Sequence, residues 1–289
     1  MAARNAPRKL TVASCQFPVT ADVAANARYV ISFLRKAADA GATILHTSET
    51  CLSGYAGPDF PSFRGYDWDA LRKQTARVRE TAARLGLWLA LGSSHYLDAR
   101  TKPTDCVYLV DPRGAIVDRY DKRMCTKGDQ AHYSAGTRFV TRVINGVHLG
   151  LAVCYDVCFP QIYASYRAAG ARVMLHSFYN ARSTGKNCLD VLNVHEVPTR
   201  CADNRMWAVA NNSSHRYSHW GSFVARPDAT IARQLPINRP GMLLHDFPDG
   251  LSEGGWLHNP LPLAIGAGVP LHYGTPSAHP RQADGQAEP

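Results

Sequence analysis

Three side chains, each at the end of a different expected strand, could between them break an amide bond. Cys154 closes Leu149-Gly150-Leu151-Ala152-Val153; polar Tyr155-Asp156 and then Phe159-Pro160 follow, ahead of an expected helix. Such a strand-to-helix turn points backbone N–H groups outward, and a helix start lowers a thiol pKa toward the nucleophilic thiolate. Glu49 ends a second run in His46-Thr47-Ser48-Glu49-Thr50, ahead of the loop Leu52-Ser53-Gly54-Tyr55. Lys122, in Arg119-Tyr120-Asp121-Lys122-Arg123-Met124, follows a third strand. Singly, each is ordinary: free cysteines are mostly buried and inert, strand-end carboxylates mostly cap or pair, and lysines mostly lie in solvent. Together they supply a nucleophile, a base that later acidifies the leaving amine, and a cation for the oxyanion, as amide hydrolysis through a thiol requires. A papain-like hydrolase would need a histidine base, and none of the 12 histidines sits in a recognisable partner motif.

The elements that must hold these residues alternate along the chain. A buried strand is expected over Lys9–Phe17, and a helix over Asn26–Gly41 with Val30, Ile31, Leu34 and Ala38 at helical spacing. A short strand over Thr43–Thr47, a helix over Asp69–Leu85, a strand over Leu87–Tyr96 and a hairpin over Cys106–Tyr120 follow. The cycle then repeats. Strands Phe139–Ile144 and His148–Tyr155 meet at Asn145-Gly146, a two-residue turn signal. Helix Pro160–Ala169, strand Arg172–Phe178, helix Asn187–Arg205, strand Met206–Asn211 and hairpin Phe223–Leu235 come next, with Met242–Phe247 as a last strand. Two similar halves, each a mixed sheet covered by helices, predict an α/β fold in which the sheets pack into a four-layer α-β-β-α sandwich. We expect one domain over 1–265 and a polar, partly disordered tail over 266–289.

Ordered segments make the chain resemble the nitrilase, or carbon–nitrogen hydrolase, superfamily over about residues 9 to 247. They are Val12-Ala13-Ser14-Cys15-Gln16 with Asn26; Gly41–Leu45 running to Glu49 and Gly54-Tyr55; Tyr120-Asp121-Lys122; and Gly150–Asp156 with Phe159-Pro160 and Gly170-Ala171. Arg200–Asn204, Asn211, Gly221-Ser222 and Pro227-Asp228 continue the match. The resemblance implies the sandwich with its two mixed sheets and a Glu-Lys-Cys triad of Glu49, Lys122 and Cys154. It adds the Tyr155 N–H as second oxyanion donor, and implies no metal or organic cofactor and a homodimer or larger homo-oligomer. Many members carry a further glutamate seven residues before a glycine; counting back from Gly136 gives Asp129, a shorter acid in what reads as an exposed turn. The sequence also has Ser48-Glu49, Pro160-Gln161 and Asp203-Asn204 where the family has Pro-Glu, Pro-Glu and Glu-Asn.

Tyr155-Asp156 after the nucleophile resembles the amidase branches rather than the Trp-Glu of nitrilases. Val157 and Cys158 stand where carbamoylases that bind amino-acid carboxylates place arginines. Tyr55, and His176 and Tyr179 of the segment after the next strand, are expected to line the substrate pocket. The expected activity is hydrolysis of a non-peptide amide bond in a small molecule. The alternatives are an N-carbamoyl amino acid amidohydrolase, a nitrilase, or a non-catalytic binding protein on the same fold. The 289 residues carry a net charge of +9, but the basic residues are dispersed with no run of five, which argues against nucleic acid as a partner. The longest apolar stretch, Leu85–Leu91, is far too short to span a membrane. Eight scattered cysteines without a CxxC pair predict reduced thiols and a cytoplasmic protein.

Overall fold

The computed structural model describes residues 9–182, 184–185, 188–248, 251 and 285. Helix α1 (Val23–Asp39) begins three residues before its expected start, because the Asp22 side chain accepts the Ala25 N–H at 2.9 Å and caps it there. Asn26 therefore does not cap the helix. Its amide donates instead to the carbonyls of Thr20 and Leu52, tying the helix to the loop behind Glu49. Helix α2 (Trp68–Leu85) is capped by Asp67 and stopped by left-handed Gly86. The expected hairpin signal is also realised locally, with Asn145 at φ 49° and Gly146 at φ 80°.

Strands β1 (Lys9–Gln16), β2 (Ile44–His46) and β3 (Trp88–His95) run parallel, and β4 (Thr104–Val110) and β5 (Ile116–Asp121) add an antiparallel hairpin. In the second half β7 (Val147–Val153), β8 (Val173–Ser177) and β9 (Trp207–Asn211) are parallel, with β10 (Phe223–Ala225) and β11 (Ile231–Gln234) antiparallel beyond them. Each sheet gains an antiparallel edge strand next to its first parallel strand. In the second sheet this is β6 (Thr141–Ile144). In the first it is β12 (Gly241–Pro248), the last strand of the described residues, paired with β1 from Lys9 to Gln16. The result is two mixed six-stranded sheets flanked by helices, an α/β sandwich. α4 (Pro160–Ala168) and α5 (Leu192–Asn204) are the second half's crossover helices, between them a 3-10 turn over Cys188–Asp190; the expected start of α5 at Asn187 lies outside the described residues. So do the expected domain end at 265 and, apart from Gly285, the tail.

Alternation decides which face goes where. Leu10, Val12, Ile44, Ala90, Val107 and Leu109 pack in one apolar cluster with the second sheet. Their neighbours Ala13, Cys15, Leu45, Leu89, Leu91 and Tyr108 pack with α1 and α2 in another. Among the described residues no helix is long and apolar enough to cross a membrane.

Candidate active site

The chain reverses sharply at the end of β7. Cys154 has φ 45°, a left-handed conformation that a side-chain-bearing residue adopts only when its surroundings over-determine it. Asp156, fully buried, supplies much of that constraint. Its Oδ2 accepts the Val153 N–H at 2.8 Å and the Tyr120 hydroxyl at 2.7 Å, and its Oδ1 accepts the Met124 N–H at 2.9 Å. One carboxylate therefore staples the Cys154 turn to the segment that carries Lys122. From the other side His176 Nε2 lies 3.2 Å from the Cys154 carbonyl oxygen, with Tyr163 Oη 2.9 Å from His176 Nδ1. Asn180 directs its amide nitrogen to the Cys154 sulfur at 3.8 Å, because its Oδ1 is held by Asn193 at 2.6 Å and by Trp220 at 3.1 Å.

Lys122 is completely buried and lies among carboxylates: Glu49 Oε1 at 2.6 Å, Asp129 Oδ2 at 2.8 Å and Asp105 Oδ2 at 3.5 Å. Glu49 comes after β2 and Lys122 after β5, Asp129 opens the four-residue helix α3 (Asp129–His132), and Asp105 lies near the start of β4. Asp129 is 3% exposed rather than on a solvated turn, since Thr126 N–H and the Tyr55 hydroxyl bond to its two oxygens and fold the turn inward. Glu49 is also within hydrogen-bonding reach of the Cys154 thiol. Burial opposes the charge on Lys122, but Asp129 and Glu49 outweigh it and hold the ammonium well above its ordinary range. Burial likewise opposes ionisation of Asp129; Lys122 overcomes that and lowers the carboxyl below the usual aspartate value.

The Cys154 thiol, partly open to solvent, goes the other way: crowding by protein atoms raises it, Glu49 raises it further, and Lys122 opposes both. This corrects the expectation that a helix start would lower it. The cysteine opens a five-residue 3-10 turn, Cys154–Cys158, too short to act as a helix dipole, and a glutamate is near. The arrangement is therefore a thiol beside a carboxylate.

The expected pocket residues fall into different places. Tyr55 belongs to the site, its hydroxyl on Asp129 and its ring 5.8 Å from the Lys122 nitrogen. Tyr155 is partly exposed, with its ring against Phe159. Tyr179 stands one layer back: its ring meets that of Tyr55 edge-on at 5.2 Å, and its hydroxyl donates to Asp59 at 2.7 Å. His176 does not line a pocket. It is wholly buried, both ring nitrogens are engaged, and burial lowers its pKa to about 3, so it backs Cys154 as a neutral ring. Lys127 is exposed and away from the cluster. Asp105 was not singled out from the sequence, and Asp156 entered only as part of the Tyr155-Asp156 pair. Asp105 had one readable signal, a lone acid opening the apolar strand Cys106-Val107-Tyr108-Leu109. Among the described residues no group of histidine, cysteine, aspartate or glutamate is arranged to hold a metal; the carboxylates here enclose an ammonium instead.

Other proteins share this architecture. A solved amidase from Nesterenkonia sp. superposes with a TM-score of 0.73 at 22% identity, covering 84% of this chain and 92% of that one. Another structure of the same enzyme carries a covalent addition of the acetamide moiety of fluoroacetamide at its active site cysteine. In sequence, the deaminated glutathione amidase of Dictyostelium discoideum is 28% identical over 200 residues, 61% of this chain and 62% of that protein. The match thus spans less than two thirds of that relative's length. Human omega-amidase NIT2 is 24% identical over 230 residues, 75% of this chain and 80% of that one. The profile of the family described as carbon-nitrogen hydrolase matches residues 11–252, nearly the whole described chain, and the protein belongs to that family.

Proposed function

We propose that this carbon–nitrogen hydrolase is an amidase that acts on a small-molecule amide through a thioester on Cys154. Glu49 accepts the thiol proton as the sulfur attacks the amide carbonyl. Lys122 and the Tyr155 N–H receive the developing oxyanion. As the tetrahedral intermediate collapses, the C–N bond breaks and Glu49 passes its proton to the departing ammonia or amine. Water then attacks the thioester, Glu49 takes a proton from it, the C–S bond breaks as Glu49 returns that proton to the sulfur, and the carboxylic acid leaves with Cys154 restored as a thiol. Asp129 and Tyr55 hold Lys122 in place throughout.

The observation that carries this reading is a partly open thiol within reach of a buried glutamate that is itself ion-paired to a buried lysine at 2.6 Å. The amidase names of its relatives, and the cysteine adduct in the Nesterenkonia enzyme, support it. All eight cysteines are free, in keeping with the reducing cytoplasm we propose as its location. A homodimer or larger homo-oligomer is the proposed assembly, which analytical ultracentrifugation measures directly.

Ammonia release across a panel of small amides, carbamoyl amino acids and nitriles tests the assignment. We expect turnover on amides, with an acyl adduct on Cys154 seen by intact mass after rapid quenching. Cys154→Ala should abolish both while unfolding at the wild-type temperature. A variant that kept a tenth of the activity would rule out the acyl-enzyme, and turnover confined to nitriles or carbamoyl compounds would move the protein to one of those branches.

A further inference from the structure

Asp105 has no place in the steps above, yet it sits where its charge cannot be ignored. Its side chain is completely buried, as are those of Glu49 and Lys122, and Asp129 is nearly so. One ammonium thus faces a carboxylate from each of three segments. The two near ones have good ion-pair geometry, but Asp105 stands off at 3.5 Å from the Lys122 nitrogen. Both Asp105 oxygens and Glu49 Oε2 lack any hydrogen-bond donor. The two carboxyl groups nevertheless lie within hydrogen-bonding reach of each other. Buried acceptors facing one another with no donor between them are costly, and two adjacent carboxylates do not both stay ionised. One proton cures both faults.

We propose that Asp105 is held as a neutral carboxylic acid that donates a hydrogen bond to the Glu49 carboxylate, making it the positioning residue for the general base. The proton belongs on Asp105 rather than on Glu49 because Lys122 is closer to Glu49 by almost an ångström, 2.6 against 3.5 Å. The neighbouring carboxylates act in the same sense as burial. Burial and Glu49 disfavour ionised Asp105, Asp129 adds to them, and Lys122 alone opposes. Tyr133, Cys106 and Cys125 also face the group, and none is a cation. The neutral acid leaves Lys122 between two anions instead of three, so that it retains positive potential for an oxyanion. It also fixes the orientation of Glu49.

This inference rests on the amidase reading for its kinetic arm but not for its spectroscopic one. Infrared difference spectra of the unliganded full-length protein at neutral pH, wild type minus Asp105→Asn, should show the carbonyl stretch of a protonated carboxylic acid, with no matching loss of carboxylate absorbance. In turnover, Asp105→Asn retains an N–H donor toward Glu49 and should keep kcat within about tenfold of wild type; Asp105→Leu removes the donor and should lower kcat by about a hundredfold with KM little changed. Thermal unfolding of both variants identifies any that fail to fold, and the isosteric Asn variant then carries the test alone. Loss of a carboxylate band in the Asn variant, or equal impairment of folded Asn and Leu variants, would overturn the proposal. A protein that releases ammonia from no amide yet shows the acid band would sink the amidase reading and leave this one standing.

Discussion

At the scale of single residues, Lys122 is where the site's charges converge. Lys122→Ala removes the proposed oxyanion cation and strands Glu49 and Asp129 as buried anions, so kcat on a good amide should drop on the order of a hundredfold or more and stability should fall with it. Glu49→Gln removes the base while keeping the shape, and its defect should appear in kcat without a large change in melting temperature. Exposed Lys127 is the control, and near-normal rates for Lys122→Ala would show that the wrong lysine has been assigned. Asp129 makes a pH prediction with a definite sign. Its folded pKa is depressed below the ordinary 3.8, so the stability it contributes is fully present above that value and is lost as pH falls through the folded pKa. Chemical denaturation from pH 5 to 2 should therefore show a shallower acid limb for Asp129→Asn than for wild type. Asp121 overturns a simpler expectation, that an aspartate beside Lys122 on an extended segment points outward. It is buried, pairs with buried Arg119 at 2.8 Å and accepts the Thr104 hydroxyl at 2.6 Å, so Asp121→Asn should lower the melting temperature by several degrees.

At the scale of elements, two glycines show how closely strands and loops approach behind Glu49 and Lys122. A Cβ on Gly92 in β3 would lie 1.9 Å from the carbonyl oxygen of Ser48, the residue before Glu49. One on Gly136 would lie 2.2 Å from the Asp121 carbonyl oxygen, directly before Lys122, whose own carbonyl accepts the Gly136 N–H at 2.8 Å. In both places the obstacle is backbone, so an added methyl must push aside the segment that carries Glu49 or Lys122. A shift near 1 Å costs on the order of a hundredfold in rate, which is the loss expected for Gly92→Ala. Gly86→Ala is the matched comparison: it meets no atom and strains only the left-handed cap of α2, costing about 1–2 kcal/mol with unchanged kcat/KM. Equal activity in the two variants would mean that the contact at Ser48 does not position Glu49.

At the scale of the whole molecule, the sheets meet across a polar seam as well as an apolar core. His46 sits between Ser14 at 3.4 Å and Ser177 at 3.0 Å, and Asn211 donates to Ser14 and to the Cys15 carbonyl from the opposite sheet. Burial lowers the pKa of His46 to about 3, as it does that of His176. Between pH 6.5 and about 3 the unfolded chain binds a proton at each histidine and the folded chain does not, so stability must fall as pH falls. The slope should approach about 1.4 kcal/mol per pH unit for each histidine. Urea midpoints at pH 7.5, 6 and 5 check this, with His46→Gln flattening part of the trend. A flat profile would mean that both rings are protonated in the folded state.

The strands and helices, and the residues that end them, were legible in the sequence because they are local. A largely apolar stretch marks β1, Asn145-Gly146 suits the two positive φ values of its turn, and Glu49, Lys122 and Cys154 each follow a strand. Their gathering is not local. Glu49 and Lys122 are 73 residues apart in sequence and 2.6 Å apart in space, a distance set by how β2 and β5 lie in one sheet and how that sheet packs on β7. The return of β12 to pair with β1, and not with its neighbour in sequence, likewise depends on sheet edges that exist only once both halves are formed. Asp105 is the sharpest case. In the sequence it is a misplaced acid at the head of a strand; only folding puts it beside Glu49 and Lys122, where burial and neighbouring charge decide whether it carries a proton.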